Sequence, residues 1–292
     1  MTAAKRAPLL RPEPGPDTLK ATRWGGERLG RLRGAPAGAQ IGESWELSTL
    51  AGRESRAGGR ALDAWLGGPL PFLAKLIDTA LPLSVQVHPD DRPAGPGKEE
   101  AWMILDAEPD AALWAGLAPG VSVDAFVAAA AAARADRAQE GALFDRLQTI
   151  PARPGTIILV PAGTVHAIGG GILLAEIQQP SDCTFRIYDY HSGRDLHIDD
   201  AARTIRADAR PVIWTTDEAP RPLAGKHLGL EIFTAGVHDL DDSAPRLIAA
   251  LRGQASAAEE RLGAGDLGLL LPGLARLQVD DGGLVVVGRC LS

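Results

Sequence analysis

Short apolar runs separated by turn residues dominate the chain and predict β-strands. Residues 41–48 alternate between two sets of side chains, which is typical of a strand with two different faces. Residues 83–88 form a strand-length run that ends at Pro89, a residue that cannot donate to a strand ladder. The same reasoning predicts strands at 72–77, 100–105, 156–160, 172–179 and 184–188.

Helical patterns are fewer, and most of them fall in one segment. Ser122 can cap a helix N-terminus, and Asp124 falls in the first turn of that helix. The alanine run at 128–133 continues the helix, and 137–148 is helical again after a break. The sequence therefore predicts a small helical insert near residues 122–148, with shorter helices at 61–66 and 196–205.

The composition changes after residue 210. Short apolar runs then alternate with Gly, Asp and Pro, which predicts a second, small β-sandwich or barrel. These runs are 228–234, 247–251, 267–271 and 283–287. We therefore predict two domains, residues 1–210 and residues 211–292.

Gln86 and His88 are the first candidates for a functional site. Side chains two residues apart on a strand lie on the same face, so these two can reach one point in space. Val85 and Val87 then face the other way, into packed core. Nitrogen and oxygen donors at a strand end, beside a turn, suit a metal ion. The two residues can also simply share hydrogen bonds in a half-buried strand, and this stretch alone leaves both readings open.

Several blocks of sequence carry a resemblance to one family. They include LSVQVHPDD at 83–91, GKEEAWMIL at 97–105 and VPAGTVHAIG at 160–169, and the others are 19–26, 41–48, 71–78 and 175–189. In this order they resemble the class I (cupin-type) mannose-6-phosphate isomerases, especially the short bacterial form. Several blocks in one order are more specific than any single motif. The resemblance implies a mainly β fold of two cupin-like (jelly-roll) β-sandwich domains with a small helical insert, the first domain carrying a metal.

The resemblance implies a metal site with four ligands, which are Gln86, His88, Glu100 and His166. Imidazole nitrogen and carboxylate oxygen bind Zn²⁺ at about 2.0–2.2 Å, whereas glutamine is a weaker and rarer donor. We therefore expect one Zn²⁺ per chain, with Gln86 as the least secure ligand. The remaining histidines have no ligand-spaced partner in the sequence and are not expected to bind metal: His191, His197, His227 and His238.

The resemblance also implies catalytic and substrate-binding side chains. Arg186 matches the family's catalytic arginine, and Glu176 matches its candidate acid–base glutamate. Lys98 matches a lysine near the substrate, and Asp182 matches a position that touches substrate or orients the cluster. We expect Lys98 and Arg186 to act in both catalysis and substrate binding. A buried Glu–Arg pair that only stabilises the barrel is the structural alternative.

The implied reaction interconverts D-mannose 6-phosphate and D-fructose 6-phosphate through an enediol. A proton leaves the carbon next to a carbonyl and returns to the neighbouring carbon, which requires a base, an electrophile for the oxygens and shielding from water. Glu176 is the first candidate for the base, and His88 and Lys98 are the alternatives.

Composition and charge narrow the range of partners. A net charge of −7 argues against nucleic acid or an anionic membrane as a partner, although a local basic cluster can still bind an anionic substrate. No run approaches the length of a membrane span, and two cysteines exclude a disulfide scaffold. We expect a cytoplasmic protein, a monomer or homodimer, that acts on a small sugar phosphate.

Two positions depart from the family's usual pattern. Glu99 stands where the family usually has Thr or Pro, and a carboxylate there would disfavour an anionic sugar phosphate if it pointed inward. Cys183 replaces a residue that is commonly Thr or Asn. Both departures bear on the identity of the substrate more than on the fold or the metal.

Three other functions stay open from the sequence. One is an isomerase of another sugar, including an unphosphorylated one. A second is a cupin iron oxygenase, because His88, Glu100 and His166 also form a two-histidine, one-carboxylate set. The third is a sugar-sensing cupin without turnover, against which Glu176 and Arg186 argue.

Overall fold

The computed structural model describes residues 8–13 and 15–291, and this part of the chain is mainly β, as predicted. Its helices are α1 (Arg28–Leu32), α2 (Leu62–Leu66), α3 (Val123–Ala135), α4 (Glu140–Phe144) and α5 (Ile198–Thr204). Its strands form three antiparallel sheets and a small hairpin of β4 (Arg56–Ala57) and β5 (Arg60–Ala61). None of the helices in the described residues is long and apolar enough to cross a membrane.

The central sheet is buried on both faces. Ala74 and Leu76 face the C-terminal part of the chain, whereas Ile77, Trp102 and Ile104 face the interior of the jelly roll. Strands covered on both faces read as nearly continuous apolar runs, as residues 72–77 and 156–160 do. The strand order is β15 (Val212–Trp214), β11 (Ile157–Val160), β8 (Glu100–Ala107), β13 (Ile172–Gln178), β6 (Leu73–Thr79), β2 (Leu19–Gly26) and β3 (Ile41–Leu47).

The inner sheet packs against the central sheet and completes the jelly roll. Leu113, Ala115 and Ile168 contribute to the apolar core between the two sheets. The polar side chains described below lie in the same interlayer space. The strand order is β10 (Leu147–Pro151), β9 (Ala112–Leu117), β12 (His166–Ile168), β7 (Val85–Val87) and β14 (Phe185–Tyr188).

The predicted helical insert covers the outer face of the inner sheet. Ser122 Oγ accepts a hydrogen bond from the backbone N–H of Ala125 at 3.2 Å, so the predicted N-cap is confirmed. Phe126 and Ala130 are fully buried against Val85 of β7 and its neighbours. The insert ends earlier than predicted, because residues 147–148 belong to β10, where they pair with β9.

The C-terminal sheet packs on the outer face of the central sheet. Leu230, Leu247 and Val286 share one apolar core with Leu76 and Ile177 of the central sheet. The strand order is β1 (Leu9–Leu10), β21 (Leu267–Leu270), β18 (Arg246–Arg252), β22 (Gly273–Cys290), β17 (Leu228–Asp242) and β16 (Leu223–Ala224), with β19 (Gln254–Ala257) and β20 (Glu260–Gly263) beside it.

Strand pairing joins the two predicted domains closely. β1, from the start of the chain, pairs with β21 in the C-terminal sheet. β15, which follows residue 210, pairs with β11 at the edge of the central sheet. The two units therefore share strands as well as a core, and the division at residue 210 stays a prediction.

Candidate metal centre

Strand β7 positions the first side chains of the site. Val85 and Val87 are fully buried in the core beneath the helices, and Gln86 between them points the other way, into the jelly roll. His166 lies opposite Gln86 on β12, and Arg186 lies opposite Gln86 on β14. Three sequence-predicted site residues are thus cross-strand neighbours in one sheet.

Backbone carbonyls orient the two imidazole rings. Nδ1 of His88 lies 2.9 Å from the carbonyl oxygen of Cys183, and Nδ1 of His166 lies 2.9 Å from that of Thr164. A carbonyl oxygen can only accept a hydrogen bond, so each Nδ1 carries a proton and each Nε2 presents its lone pair inward. This tautomer is the one that a metal ligand requires.

Glu100 completes a three-residue group with these imidazoles. Its carboxylate oxygens lie 3.4 Å from His88 Nε2 and 3.3 Å from His166 Nε2, and all the donor atoms lie within 4.8 Å of one another. All three side chains are at most 2% exposed. Two imidazole nitrogens and one carboxylate that converge in a buried space are a donor set that fits Zn²⁺.

The protonation states favour ligation. Burial, together with the Lys98 ammonium, lowers the pKa of His88 to about 3, and burial also lowers the pKa of His166. Burial raises the pKa of Glu100, but the Lys98 ammonium and the two histidines outweigh it and hold that pKa well below its usual range. Neutral imidazoles beside an ionised carboxylate are the states that bind a divalent cation.

Gln86 reaches the same space through its amide. Its Nε2 lies 3.5 Å from His88 Nε2 and 3.2 Å from His166 Nε2, while Oε1 accepts a hydrogen bond from Ser84 Oγ at 3.0 Å. Amide oxygen and nitrogen have nearly the same shape, so half a turn of the amide directs Oε1 at the imidazoles and leaves Nε2 to donate to Ser84. The structure therefore places Gln86 within reach of the group that the other three side chains form.

Lys98 lies against the candidate ligands. Its ammonium donates to Glu100 Oε2 and lies 3.2 Å from His88 Nε2, with the side chain almost fully buried. It is also 4.0 Å from Glu176 Oε1. Lys98 thus links the metal-binding group to the predicted acid–base residue.

Glu176 occupies the neighbouring position on the central sheet. Trp102 Nε1 donates to its Oε2 at 3.3 Å, whereas its Oε1 has no hydrogen-bond partner among the described residues. Burial raises the pKa of the Glu176 carboxyl, the nearby Lys98 and Lys75 ammonium groups oppose this, and the net shift is upward. A carboxyl with a raised pKa and an oxygen that accepts no hydrogen bond can take up a proton and return it.

Lys75 belongs to this network but was not among the predicted site residues. It is the cross-strand partner of Glu176, and its ammonium lies 3.5 Å from Glu176 Oε1 and 4.9 Å from the centre of the Trp45 ring. Burial lowers the pKa of Lys75, but Glu176 and Glu43 outweigh burial and raise it. The available signal was a lysine in the middle of an apolar strand, where a charge is unfavourable unless it is paired.

Arg186 and Asp182 lie further from the metal-binding group. Arg186 is half-buried, and its Nε has no hydrogen-bond partner among the described residues. The backbone of Arg186 exchanges hydrogen bonds with His197, which accepts from Arg186 N at 3.3 Å and donates to Arg186 O at 2.8 Å. Asp182 is exposed, so the structure does not bring it into the buried group.

Glu99 points away from the site. Its carboxylate accepts hydrogen bonds from backbone N–H groups at residues 226–228 of the C-terminal unit. The carboxylate that was expected to disfavour an anionic substrate if it faced inward therefore does not face the substrate space.

His227 has acidic neighbours that its position in the sequence did not indicate. Its Nε2 lies 3.2 Å from Asp90 Oδ1 and 3.7 Å from Asp91 Oδ2. Both aspartates belong to a part of the chain that is far from His227 in the sequence. Lys226 Nζ already binds Asp90 at 2.8 Å, and the cluster is open to solvent. These contacts form a polar junction between the C-terminal unit and the jelly roll.

Comparisons with known proteins find similarity to mannose-6-phosphate isomerases. The chain is 35% identical over 216 residues to the probable mannose-6-phosphate isomerase GmuF of Bacillus subtilis (strain 168), covering 64% of this chain and 66% of the relative. It is 34% identical over 157 residues to the mannose-6-phosphate isomerase ManA of the same organism, covering 50% of this chain and 47% of the relative. The chain thus spans just under two thirds of the first relative and about half of the second. No protein-family model matches the chain.

A solved structure extends the likeness over nearly the whole fold. The crystal structure of the mannose 6-phosphate isomerase from Bacillus subtilis matches with a TM-score of 0.71 at 23% identity, covering 98% of this chain and 100% of that chain. The predicted fold class is thereby confirmed. At 34–35% identity to these relatives and with the same fold, this chain is similar to the class I mannose-6-phosphate isomerases, and the findings support a family of that type.

Proposed function

We propose that this chain is a zinc-dependent aldose–ketose isomerase that interconverts D-mannose 6-phosphate and D-fructose 6-phosphate. One observation carries the proposal. Glu176, a buried carboxyl with a raised pKa, belongs to one buried cluster with the metal-binding group of His88, Glu100 and His166, and Lys98 lies close to both. A base, a cation and a candidate metal site in one place are what proton transfer beside a carbonyl requires.

Four side chains are proposed to hold the metal, namely Gln86, His88, Glu100 and His166. Bound Zn²⁺ supplies a positive charge that polarises the substrate oxygens. The donor set supports zinc because the two imidazoles already have the correct tautomer and Glu100 is ionised. Lys98 contacts two atoms of the same set, Glu100 Oε2 and His88 Nε2, so the ammonium and the ion compete for them.

Glu176 is proposed to carry the proton between the two substrate carbons. Its Oε1 has no hydrogen-bond partner in the described part of the chain and can face the substrate, while Trp102 holds Oε2 in place. In the forward direction, Glu176 takes the proton from C2, beside the aldehyde, and the aldehyde oxygen on C1 becomes the anionic oxygen of an enediolate. The hydroxyl proton on the C2 oxygen passes to the C1 oxygen, the Glu176 carboxylic acid returns its proton to C1, and C2 becomes the ketone carbon, so the chain itself gains and loses no proton.

Cationic side chains are proposed to stabilise the oxygens and the phosphate. Lys98 lies beside Glu176 and can donate to an enediol oxygen. Arg186 has a buried Nε without a hydrogen-bond partner among the described residues, which leaves it available for an anionic substrate group. Burial, with Arg194 nearby, lowers the pKa of Arg186, so a phosphate would relieve an unfavourable charge there. Asp182 is exposed, and it is proposed to contact the substrate only once the substrate is bound.

A metal analysis and a substrate panel test the proposal. Purified protein should contain one zinc per chain, and it should convert mannose 6-phosphate but not free mannose, with loss of turnover on chelation and recovery on adding zinc. Conversion of free mannose but not of mannose 6-phosphate would overturn the proposal that the substrate is phosphorylated. Bound iron with oxygen consumption would favour the oxygenase, and metal binding without any turnover would favour a sensing protein.

A further inference from the structure

We infer that Glu99 is a positioning residue through which the C-terminal unit holds the segment that carries Lys98 and Glu100. The effect of Glu99 on catalysis rests on the proposed function, whereas the contact between Glu99 and the C-terminal unit is observed directly in the structure. It also gives the C-terminal unit a role in the site, although none of the proposed ligands comes from that unit.

Glu99 lies just before β8 and points the opposite way from its two neighbours. Lys98 and Glu100 point into the jelly roll, where their charged ends meet. The Glu99 carboxylate instead lies on the outer side, against backbone N–H groups of the C-terminal unit. There it meets the hairpin loop 225–227 that joins β16 to β17, and its side chain is only 1% exposed.

Three backbone donors converge on the Glu99 carboxylate. Lys226 N donates to Oε2 at 3.0 Å, and His227 N and Leu228 N donate to Oε1 at 2.9 and 2.8 Å. Successive N–H groups that point at one anion form a concave site for negative charge, and hydrogen bonds to a charged acceptor are stronger than neutral ones. The hairpin loop thus binds Glu99 much as it would bind a small carboxylate.

The backbone of Glu99 is fixed at the same time. Its N–H donates to Gln179 Oε1 at 2.9 Å, and its carbonyl accepts from Gln179 N at 3.0 Å. Gln179 directly follows β13, the strand that carries Glu176. Glu99 therefore joins the C-terminal hairpin to the ends of the two strands that carry Glu100 and Glu176.

Gly225 leaves the space that this contact needs. A Cβ atom built on Gly225 would lie 2.2 Å from Glu99 Oε1 and 2.5 Å from its carboxyl carbon, closer than real atoms approach. The φ angle of Gly225 is not in the left-handed region, so an alanine there is excluded by the Glu99 carboxylate rather than by the backbone. A substitution in the C-terminal unit can therefore displace the Glu99 side chain without any change to the sequence of the jelly roll.

Removing the carboxylate should loosen the segment on its other side. Glu99→Ala leaves three N–H groups without their acceptor and removes the contact between residues 97–101 and the C-terminal hairpin, while the backbone hydrogen bonds with Gln179 remain. Residues that orient a metal ligand typically change metal affinity by about 10–100-fold when they are replaced. We expect the affinity of the protein for Co²⁺, used as a spectroscopic substitute for zinc, to fall within that range.

Asp78→Ala is the matched control. Asp78 is a fully buried carboxylate on β6 that accepts the backbone N–H of Leu29 at 3.0 Å and binds Arg28, away from the metal-binding group. Both variants should lower the free energy of unfolding. Only Glu99→Ala should also weaken Co²⁺ binding, alter the visible Co²⁺ spectrum and speed backbone hydrogen exchange at residues 97–101 by about tenfold or more.

A double-mutant cycle with Gly225→Ala decides whether the two positions act through one contact. Gly225→Ala alone should reproduce the Co²⁺ and hydrogen-exchange changes of Glu99→Ala, and it serves in place of Glu99→Ala if that variant does not fold. In the Glu99→Ala background, Gly225→Ala should cause little further change in Co²⁺ binding or hydrogen exchange, because the obstructing carboxylate is gone. Additive effects, or unchanged exchange at residues 97–101 in both single variants, would overturn the inference.

The readouts separate this inference from the proposed function. If the wild-type protein fails to bind Co²⁺ or to convert the sugar, the proposed function fails, and the exchange rates at residues 97–101 still decide the role of Glu99. If the wild type binds Co²⁺ and turns over while Glu99→Ala does both equally well, the inference fails and the proposed function stands.

Discussion

Gln86 lies directly opposite His166 across β7 and β12, with its Nε2 3.2 Å from His166 Nε2. On its other side Gln86 pairs with Arg186 of β14. One strand position thus sets the spacing between a proposed ligand and the proposed catalytic arginine. A slip of one residue would turn the whole face outward, so the register of the inner sheet is part of the site.

His166→Ala should abolish metal binding. The variant keeps Glu100 and His88 but loses one of two imidazole donors, so the remaining set no longer holds zinc tightly. Metal content after dialysis against a weak chelator is the measurement, and activity should be lost with the metal. His238→Ala, at a half-buried position in the C-terminal sheet, is the control and should retain one zinc. Full occupancy in His166→Ala would remove His166 from the ligand set.

Arg186→Ala should fold and keep its metal but lose most of its turnover. Arg186 contacts none of the three core ligands, and the removal of one electrostatic contact to a transition state typically lowers the rate by about 10²–10³-fold. Steady-state kinetics with metal analysis on the same sample test this. The exposed Arg203→Ala serves as the charge-matched control. A rate near that of the wild type would reduce Arg186 to a structural role.

Glu176→Gln should separate binding from proton transfer. The amide keeps nearly the same shape and can still accept from Trp102, but it cannot take a proton. Fold, metal content and substrate binding should therefore stay, while exchange of the substrate C1 and C2 protons with deuterated solvent should stop. NMR of the sugar in deuterated water measures the exchange directly. Continued exchange would assign the base to His88 or Lys98.

Glu43 should make the fold sensitive to acid. Burial raises the pKa of this carboxyl, but Lys75, Lys20 and a hydrogen bond from Trp45 outweigh burial and lower it to about 2. A folded-state pKa below the unfolded value stabilises the protein above pH 4.5, and that stability is lost as the pH falls toward 2.

The matched variant for this acid effect is Glu43→Gln. Between pH 5 and pH 3.5 the wild type should lose about 1 kcal/mol more unfolding free energy than Glu43→Gln, as measured by urea titration at both pH values. Equal losses in the two proteins would show that Glu43 is not held ionised by its neighbours.

The sequence could predict the strands of the jelly roll and the inward face of β8. Glu100, Trp102 and Ile104 share that face as their spacing indicates, and the short apolar runs do form strands. Local period and turn residues determine these features, so they are readable without the fold.

Contacts between distant segments were not readable in the same way. Lys75 appeared as one charge in an apolar strand, and only strand pairing brings it opposite Glu176. The acidic neighbours of His227 come from a loop about 140 residues earlier, Asp90 and Asp91, and the same docking brings Glu99 to the hairpin. The first contact depends on the pairing of β6 with β13, and the others depend on how the C-terminal sheet packs on the central sheet. The pattern of one strand contains neither.

The helical insert has a consequence for how this chain tolerates added sequence. β9 and β10 pair at Leu117 and Leu147, so the insert leaves the sheet and returns to it at neighbouring positions. For such a closed excursion, doubling the loop length costs only about 0.6 kcal/mol in closure entropy. The buried face of α3 must stay, but residues 136–139 between α3 and α4 are exposed. A folded reporter domain spliced there would lie outside the metal-binding space, and the register that places Gln86 opposite His166 would be preserved.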